Sequence, residues 1–192
     1  MFTDTIKTAT LEKHQQVEKL LVGKMKIIRC MDDYVDLLKI FYSYFGGLEQ
    51  KIDAFITTEN LTDYNQRRKT DSIAGDIKIL GGVVPGFAGN ENLPVINNQS
   101  QAFGALYVME GSTLGGKIIA AMLQKHLNFN NDEGLSFFNS YGDNAMQMWA
   151  IFKLALNNVA KTGENETEVI FTANETFVKF KAWLEKSREI AF

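Results

Sequence analysis

Apolar residues recur at steps of three and four through almost the whole chain, and that is the period of a helix with one buried face. The first stripe runs Ile6, Thr10, His14, Val17 and Leu21, with Asp4 placed to cap it and Gly23 to end it. Asp32 or Asp33 caps a second, long segment that carries Tyr34, Leu38, Phe41, Phe45, Ile52 and Phe55, and Gly46-Gly47 inside it mark a place to bend. A short helix over 61–68 follows, then one capped by Asp71 and stopped at Gly81-Gly82. Pro85 and Pro94, the only two prolines, fall together in 81–99 among several Asn and Gly, so this stretch reads as loop. Ser100 opens a helix to about His126, and Asn128 to Asn131 break it. Gly142-Asp143 open the next, through Trp149, Phe152 and Val159, and Gly163 closes it. The last runs from about Glu166 to Ser187. Strand-like alternation is nowhere convincing. The pattern predicts an all-α, single-domain helical bundle of about seven or eight helices over residues 1–192.

Composition narrows the function. Apolar residues make up 45%, enough for a full core. The net charge of −3 gives no general electrostatic reason to bind nucleic acid or an anionic membrane, so any anionic ligand must be met by a few local Lys or Arg. Cys30 is the only cysteine, which excludes an internal disulfide and a Cys-based zinc site and fits a reducing compartment such as the cytoplasm. No signal peptide and no membrane-spanning helix are expected, since no apolar run approaches the ~18 residues a span needs. Fourteen Phe, two Trp and six Tyr imply thick aromatic packing or a large flat cavity.

The helix from Ser100 to His126 is unusual in containing Gly104, Gly111, Gly115 and Gly116. An interior Gly costs roughly 0.8–1 kcal/mol relative to Ala, so these positions together cost about 3–4 kcal/mol. Against a typical stability of ~5–15 kcal/mol, something must offset that. Tight helix packing through Gly111-x-x-x-Gly115 is one explanation. The other is a flat ligand lying where any side chain would collide.

His14 sits on the inward stripe of the first helix, where it is either a hydrogen-bonded core residue or a metal ligand. Glu18 follows at i+4 on the same face and could take the other ring N–H, as carboxylates do beside ligating histidines, or be a plain surface carboxylate. Lys7 lies about 10 Å up the axis on that face, either solvated or set as a cation at the edge of a large planar ligand. No E-x-x-H pair, H-E-x-x-H motif or phosphate-binding Gly loop occurs. With His14 and His126 the only histidines, a multi-histidine site is impossible. His126, in a last helical turn, and Cys30 read as structural. One imidazole in an apolar, aromatic-rich helical protein suits the axial ligation of heme iron, with the sixth position left for a diatomic gas.

The residues carry a resemblance. LYVMEGSTLGGKI at 106–118 resembles the distal-helix motif of the heme oxygenases, and TATLEKHQQVE at 8–18 resembles their proximal-helix motif. RRKTDSIAGDIKILGG at 67–82, FFNSYG at 137–142 and TFVKFKAWL at 176–184 give weaker support. The match runs from about Thr3 to Leu184 and is similar to the bacterial biliverdin-producing branch.

The resemblance implies that heme is both substrate and cofactor, cleaved with O2 and electrons from an external donor such as ferredoxin or a reductase to biliverdin, CO and iron. It implies that His14 is the proximal iron ligand with Glu18 as its partner. Gly111, Gly115 and Gly116 form the distal wall against the ring, Lys7 and Lys153 face the propionates, and Phe177 and Phe180 line the pocket. Where animal enzymes place an acidic residue after the first distal glycine this chain has Ser112, so proton delivery is expected through waters held by Ser112, Thr113 or backbone carbonyls. The tyrosine that meets a propionate in animal enzymes is replaced by Leu106, with Tyr107 beside it. A heme-binding protein of the same fold that stores or senses heme without degrading it is the alternative, kept open by Ser112.

Overall fold

The computed structural model describes residues 1–127, 129 and 132–186. Within them the chain forms α1 (Phe2–Ile27), α2 (Met31–Asp53), α3 (Asp71–Ile79), α4 (Gln99–Gly111), α5 (Thr113–Leu127), α6 (Ser136–Asn139), α7 (Ala145–Val159) and α8 (Gly163–Lys186), with no strand among the described residues. The segment expected as a short helix over 61–68 is a single 3-10 turn, Tyr64–Gln66. No helix among the described residues is long and apolar enough to cross a membrane.

Several ends differ from the sequence expectation for local reasons. α1 runs past Gly23 because Lys24 and Met25 bury the next turn. Asp4 lies in its first turn, where a carboxylate suits the helix dipole. At the start of α2, the Asp33 carboxylate accepts the N–H groups of Arg29 (2.7 Å) and Cys30 (3.2 Å), and the first of these holds its pKa below the ordinary value. Gly163 opens α8 instead of closing α7, because Thr162 Oγ1 accepts the Asn165 N–H as an N-cap. The helix end expected at Ser187 lies outside the described residues, as do Asn128, Asn130 and Asn131 of the expected break.

Gly46-Gly47 do not interrupt α2. They form a seat for the 81–98 loop: the Phe87 ring occupies the place of a Cβ at Gly46, and Ala88 N–H donates to the Ser43 carbonyl at 2.8 Å.

α8 is the spine of the bundle. A Cβ on Gly104 would collide with the Val169 carbonyl oxygen and stand 3.1 Å from the Ala173 nitrogen, so α4 and α8 touch backbone to backbone. α1 packs on α8 as well, and the Asn174 amide donates to the Ala9 carbonyl at 3.3 Å. α2 is tied to the same helix by Tyr44, whose buried hydroxyl donates to the Thr176 carbonyl at 2.9 Å.

The expected single helix from Ser100 to His126 divides at Ser112. The Ser112 hydroxyl donates to the Met109 carbonyl (2.6 Å) and the Thr113 hydroxyl to that of Glu110 (2.7 Å). Hydroxyls that bond back one turn compete with the helical ladder and bend it, which breaks α4 from α5 at this point.

Candidate functional site

α1 supplies one wall of a cavity of about 460 Å³, and the α4–α5 junction another. Its volume lies within the range of about 300–1,000 Å³ usual for ligand sites. Phe41 and Phe45 of α2, Phe137 and Phe138 of α6, and Phe177 and Phe180 of α8 line it between those walls. This is where much of the aromatic excess of the composition goes.

His14 faces the cavity. Its stripe-mates Ile6, Thr10 and Val17 are buried, at 0%, 2% and 5% exposure, whereas His14 is exposed. Phe177 meets its ring edge-on, with centroids 5.6 Å apart. It makes no hydrogen bond or ion pair within the described residues, so it is not a hydrogen-bonded core residue. Lys7 and Glu18 line the same wall. Glu18 is not hydrogen-bonded to His14 in this structure.

The four glycines divide into two pairs. Gly111 and Gly115 line the cavity. A Cβ on Gly115 would meet nothing within 4 Å, and one on Gly111 only the edge of Trp149 at 4.0 Å, so Gly111-x-x-x-Gly115 is not a helix-packing seam. Gly116, expected in the same wall, is instead buried where a Cβ would collide with the Phe138 carbonyl oxygen. It seats α6, as Gly104 seats α8. Tyr107, not Leu106, lines the cavity; burial raises its phenol pKa, against a hydrogen bond with Thr10. Lys153 is half-buried on α7 and is not among the residues that line the cavity. Thr113 is also absent from the lining, its hydroxyl committed to Glu110.

Residues that the sequence reading left without a role complete the site. Arg68 lines the cavity, and its Nη2 donates to Ser112 Oγ (2.7 Å) and to the Met109 carbonyl (2.9 Å). Its guanidinium stacks over the Phe137 ring at 4.1 Å. Burial pushes its pKa down to about 10, partly offset by the negative charge of Glu110. The neighbouring Arg67 turns the other way, to Asp63 (2.7 Å) and Glu110 (2.6 Å). Burial works against its charge, but Glu110 and Asp63 outweigh that and raise its pKa. Tyr141 joins the two arginines: its hydroxyl accepts the Arg68 backbone N–H (2.7 Å) and donates to Glu110 (2.9 Å). The adjacent arginines in RRK were the only sequence sign of this arrangement.

The described residues contain no cluster of three or more His, Cys, Asp or Glu able to hold a metal ion. One free imidazole cannot retain a bare ion, so a metal at His14 would have to arrive in its own macrocycle. The bare backbone of Gly111 and Gly115, the aromatic rings and the half-buried Arg68 guanidinium fit a planar tetrapyrrole.

Known proteins resemble this chain over most of its length. The family model described as Heme oxygenase matches residues 1–186. Heme oxygenase from Xanthomonas campestris pv. campestris (strain 8004) is 26% identical over 156 residues, which is 80% of this chain and 89% of its own. Among solved structures, the NO- and CO-bound heme oxygenase from Neisseria meningitidis has a TM-score of 0.83 at 24% identity, covering 97% of this chain and 92% of that one. Heme oxygenase from Leptospira interrogans has a TM-score of 0.74 at 15% identity, covering 96% of this chain and 98% of that one.

Proposed function

This chain belongs to the heme oxygenase family, and from that premise we propose that it cleaves heme to biliverdin, CO and iron, using O2 and electrons from an external donor such as ferredoxin or a reductase. The observation that carries the reading is His14, uncommitted and exposed into a cavity whose α4–α5 wall presents the bare backbone of Gly111 and Gly115. Heme supplies the iron that activates oxygen and the ring that is oxidised, while the protein supplies binding, orientation and electrostatics.

His14 holds the iron through one ring nitrogen, and Glu18, one turn along, takes the other ring N–H once the imidazole is ligated. Lys7 faces a propionate at the rim. Gly111 and Gly115 keep side chains off the ring and leave room for water. The phenylalanines exclude water from the remaining walls, which strengthens every charge inside. Arg68, held on Ser112 Oγ and the Met109 carbonyl, sets a positive charge at the cavity, preorganised for the negative charge that develops as oxygen is reduced. Thr113 takes no part, since its hydroxyl is committed to the Glu110 carbonyl of α4. The reaction belongs where reducing equivalents are at hand, in the cytoplasm.

A binder that stores or senses heme would share His14 and the glycines. The Arg68–Ser112 pair favours turnover, because storage needs no cation set among apolar rings. The test is to add hemin to the protein, then a reductase–ferredoxin system or ascorbate under air. Loss of the Soret band with growth of the biliverdin spectrum is expected. A Soret band that survives repeated reduction would overturn the reading in favour of storage or sensing.

A further inference from the structure

Arg67 and Arg68 are adjacent, yet their surroundings divide sharply. Arg67 receives both carboxylates, Asp63 and Glu110. Arg68 receives only neutral acceptors: Ser112 Oγ, the Met109 carbonyl and, at 3.5 Å, the Phe137 carbonyl. A cation in direct contact with a carboxylate has much of its field cancelled; one held by neutral dipoles keeps it. Of the carboxylates that act on Arg68 from farther off, Glu110 acts more strongly than Glu49, and the Tyr141 hydroxyl bonds both to the Arg68 N–H and to Glu110.

Tyr141 is delivered by a strained turn. Ser140 has φ 44° and ψ −121°, a conformation that glycine favours and serine rarely adopts, and its buried Oγ has no hydrogen-bond partner among the described residues. Residues held in sparsely populated conformations persist where the surrounding structure over-determines them, and they cluster at functional sites. Here the Ser140 N–H is held on the Ser136 carbonyl (2.9 Å), and the next residue's hydroxyl is tied at once to the Arg68 backbone N–H and to Glu110.

We propose that Tyr141 is a positioning residue: it pins the Arg68 backbone, occupies Glu110, and so keeps the Arg68 guanidinium on Ser112 and directed at the cavity. This rests on the heme oxygenase reading of the cavity. Without the hydroxyl, the Arg68 N–H and one Glu110 oxygen lose their partner, and that oxygen, with Arg67 still on the other, is open to draw the Arg68 guanidinium away from the ligand.

Two measurements test it. In the heme-free protein, Tyr141→Phe should speed hydrogen exchange at the Arg68 amide about tenfold or more, read by NMR, since its one acceptor is gone. In the heme-loaded, reduced protein with CO as probe, the CO stretching band reports the field in the cavity. Tyr141→Phe should broaden the band and move it toward that of Arg68→Leu, with heme affinity held within about twofold and the first oxygenation step slowed about tenfold, as for a misplaced group. A Tyr141→Phe band that coincides with wild type overturns the proposal, and so does an Arg68→Leu band that does not move. Should Tyr141→Phe not fold, wild type carries the test: in the heme-free protein the Arg68 amide should exchange at least about tenfold more slowly than an unprotected amide, and an unprotected Arg68 amide overturns the proposal. Failure of wild type to give any Soret band is a different result and brings down the functional reading together with this one.

Discussion

The α1 wall and the α4–α5 wall face one cavity but are held in opposite ways. On α1, Lys7, His14 and Glu18 are exposed and make no hydrogen bond or ion pair within the described residues; the helix alone places them. Behind the other wall nearly every polar group is committed. Arg67, Asp63, Glu110, Tyr141, Arg68 and Ser112 form one connected set of hydrogen bonds. On the function proposed above, the difference follows from the work each wall does. A side chain that bonds directly to its ligand is ordered by that bond, so it can wait unrestrained. Groups that stabilise charge only as it develops must be in place beforehand, because reorienting them during reaction would raise the barrier.

That contrast can be broken or sharpened by experiment. His14→Ala has the largest expected effect: the Soret signature of an imidazole complex and turnover are both lost, and added free imidazole restores the spectrum. A normal spectrum in the variant would show that α1 does not supply the ligand. Turnover should next fall as pH rises through about 10, where the Arg68 guanidinium sheds its proton, and an Arg68→Gln profile should lack that limb. The sign for folding is the reverse. The folded pKa is depressed, so the native state binds fewer protons than the unfolded state above about 10. Arg68's own contribution, taken as the stability difference from Arg68→Met in the heme-free protein, is therefore unfavourable while charged and fades through that window.

The glycine pairs give a third contrast. Gly104→Ala or Gly116→Ala should cost about 1–3 kcal/mol in denaturant unfolding, because the added methyl meets backbone that cannot step aside. Gly115→Ala should instead stabilise the heme-free protein by about 0.8–1 kcal/mol, through helix propensity alone, while weakening heme binding in a titration. Equal effects at 104 and 115 would show that the division into seats and open wall is wrong. The smallest effect is expected from Lys7→Ala. An exposed ion pair is worth at most about 1 kcal/mol, so heme affinity should fall no more than about fivefold.

The helical class and the site's central histidine were legible because both are local. A stripe at steps of three and four, with His14 on it, needs only the chain's own period to be seen. The glycine excess was legible as a cost but not as a division of labour, since Phe138 and Val169, which decide the matter at Gly116 and Gly104, come from distant turns of chain. Arg68, Tyr141 and Glu110 were silent for the same reason: Tyr141 lies 73 residues from Arg68, and Glu110 lies 43 from Arg67. The break at Ser112 was hidden because Ser-Thr also fits a continuous helix. Only the direction in which the two hydroxyls bond turns it into an end.

Gly111 and Gly115 have a consequence for anyone who tries to harden this fold. Both are sites where alanine finds open space and a better helix, so a library screened only for heat tolerance, without tetrapyrrole present, will enrich alanine there. Directed evolution toward robustness would then silently close the chamber, and the most durable descendants would be the ones that have stopped working.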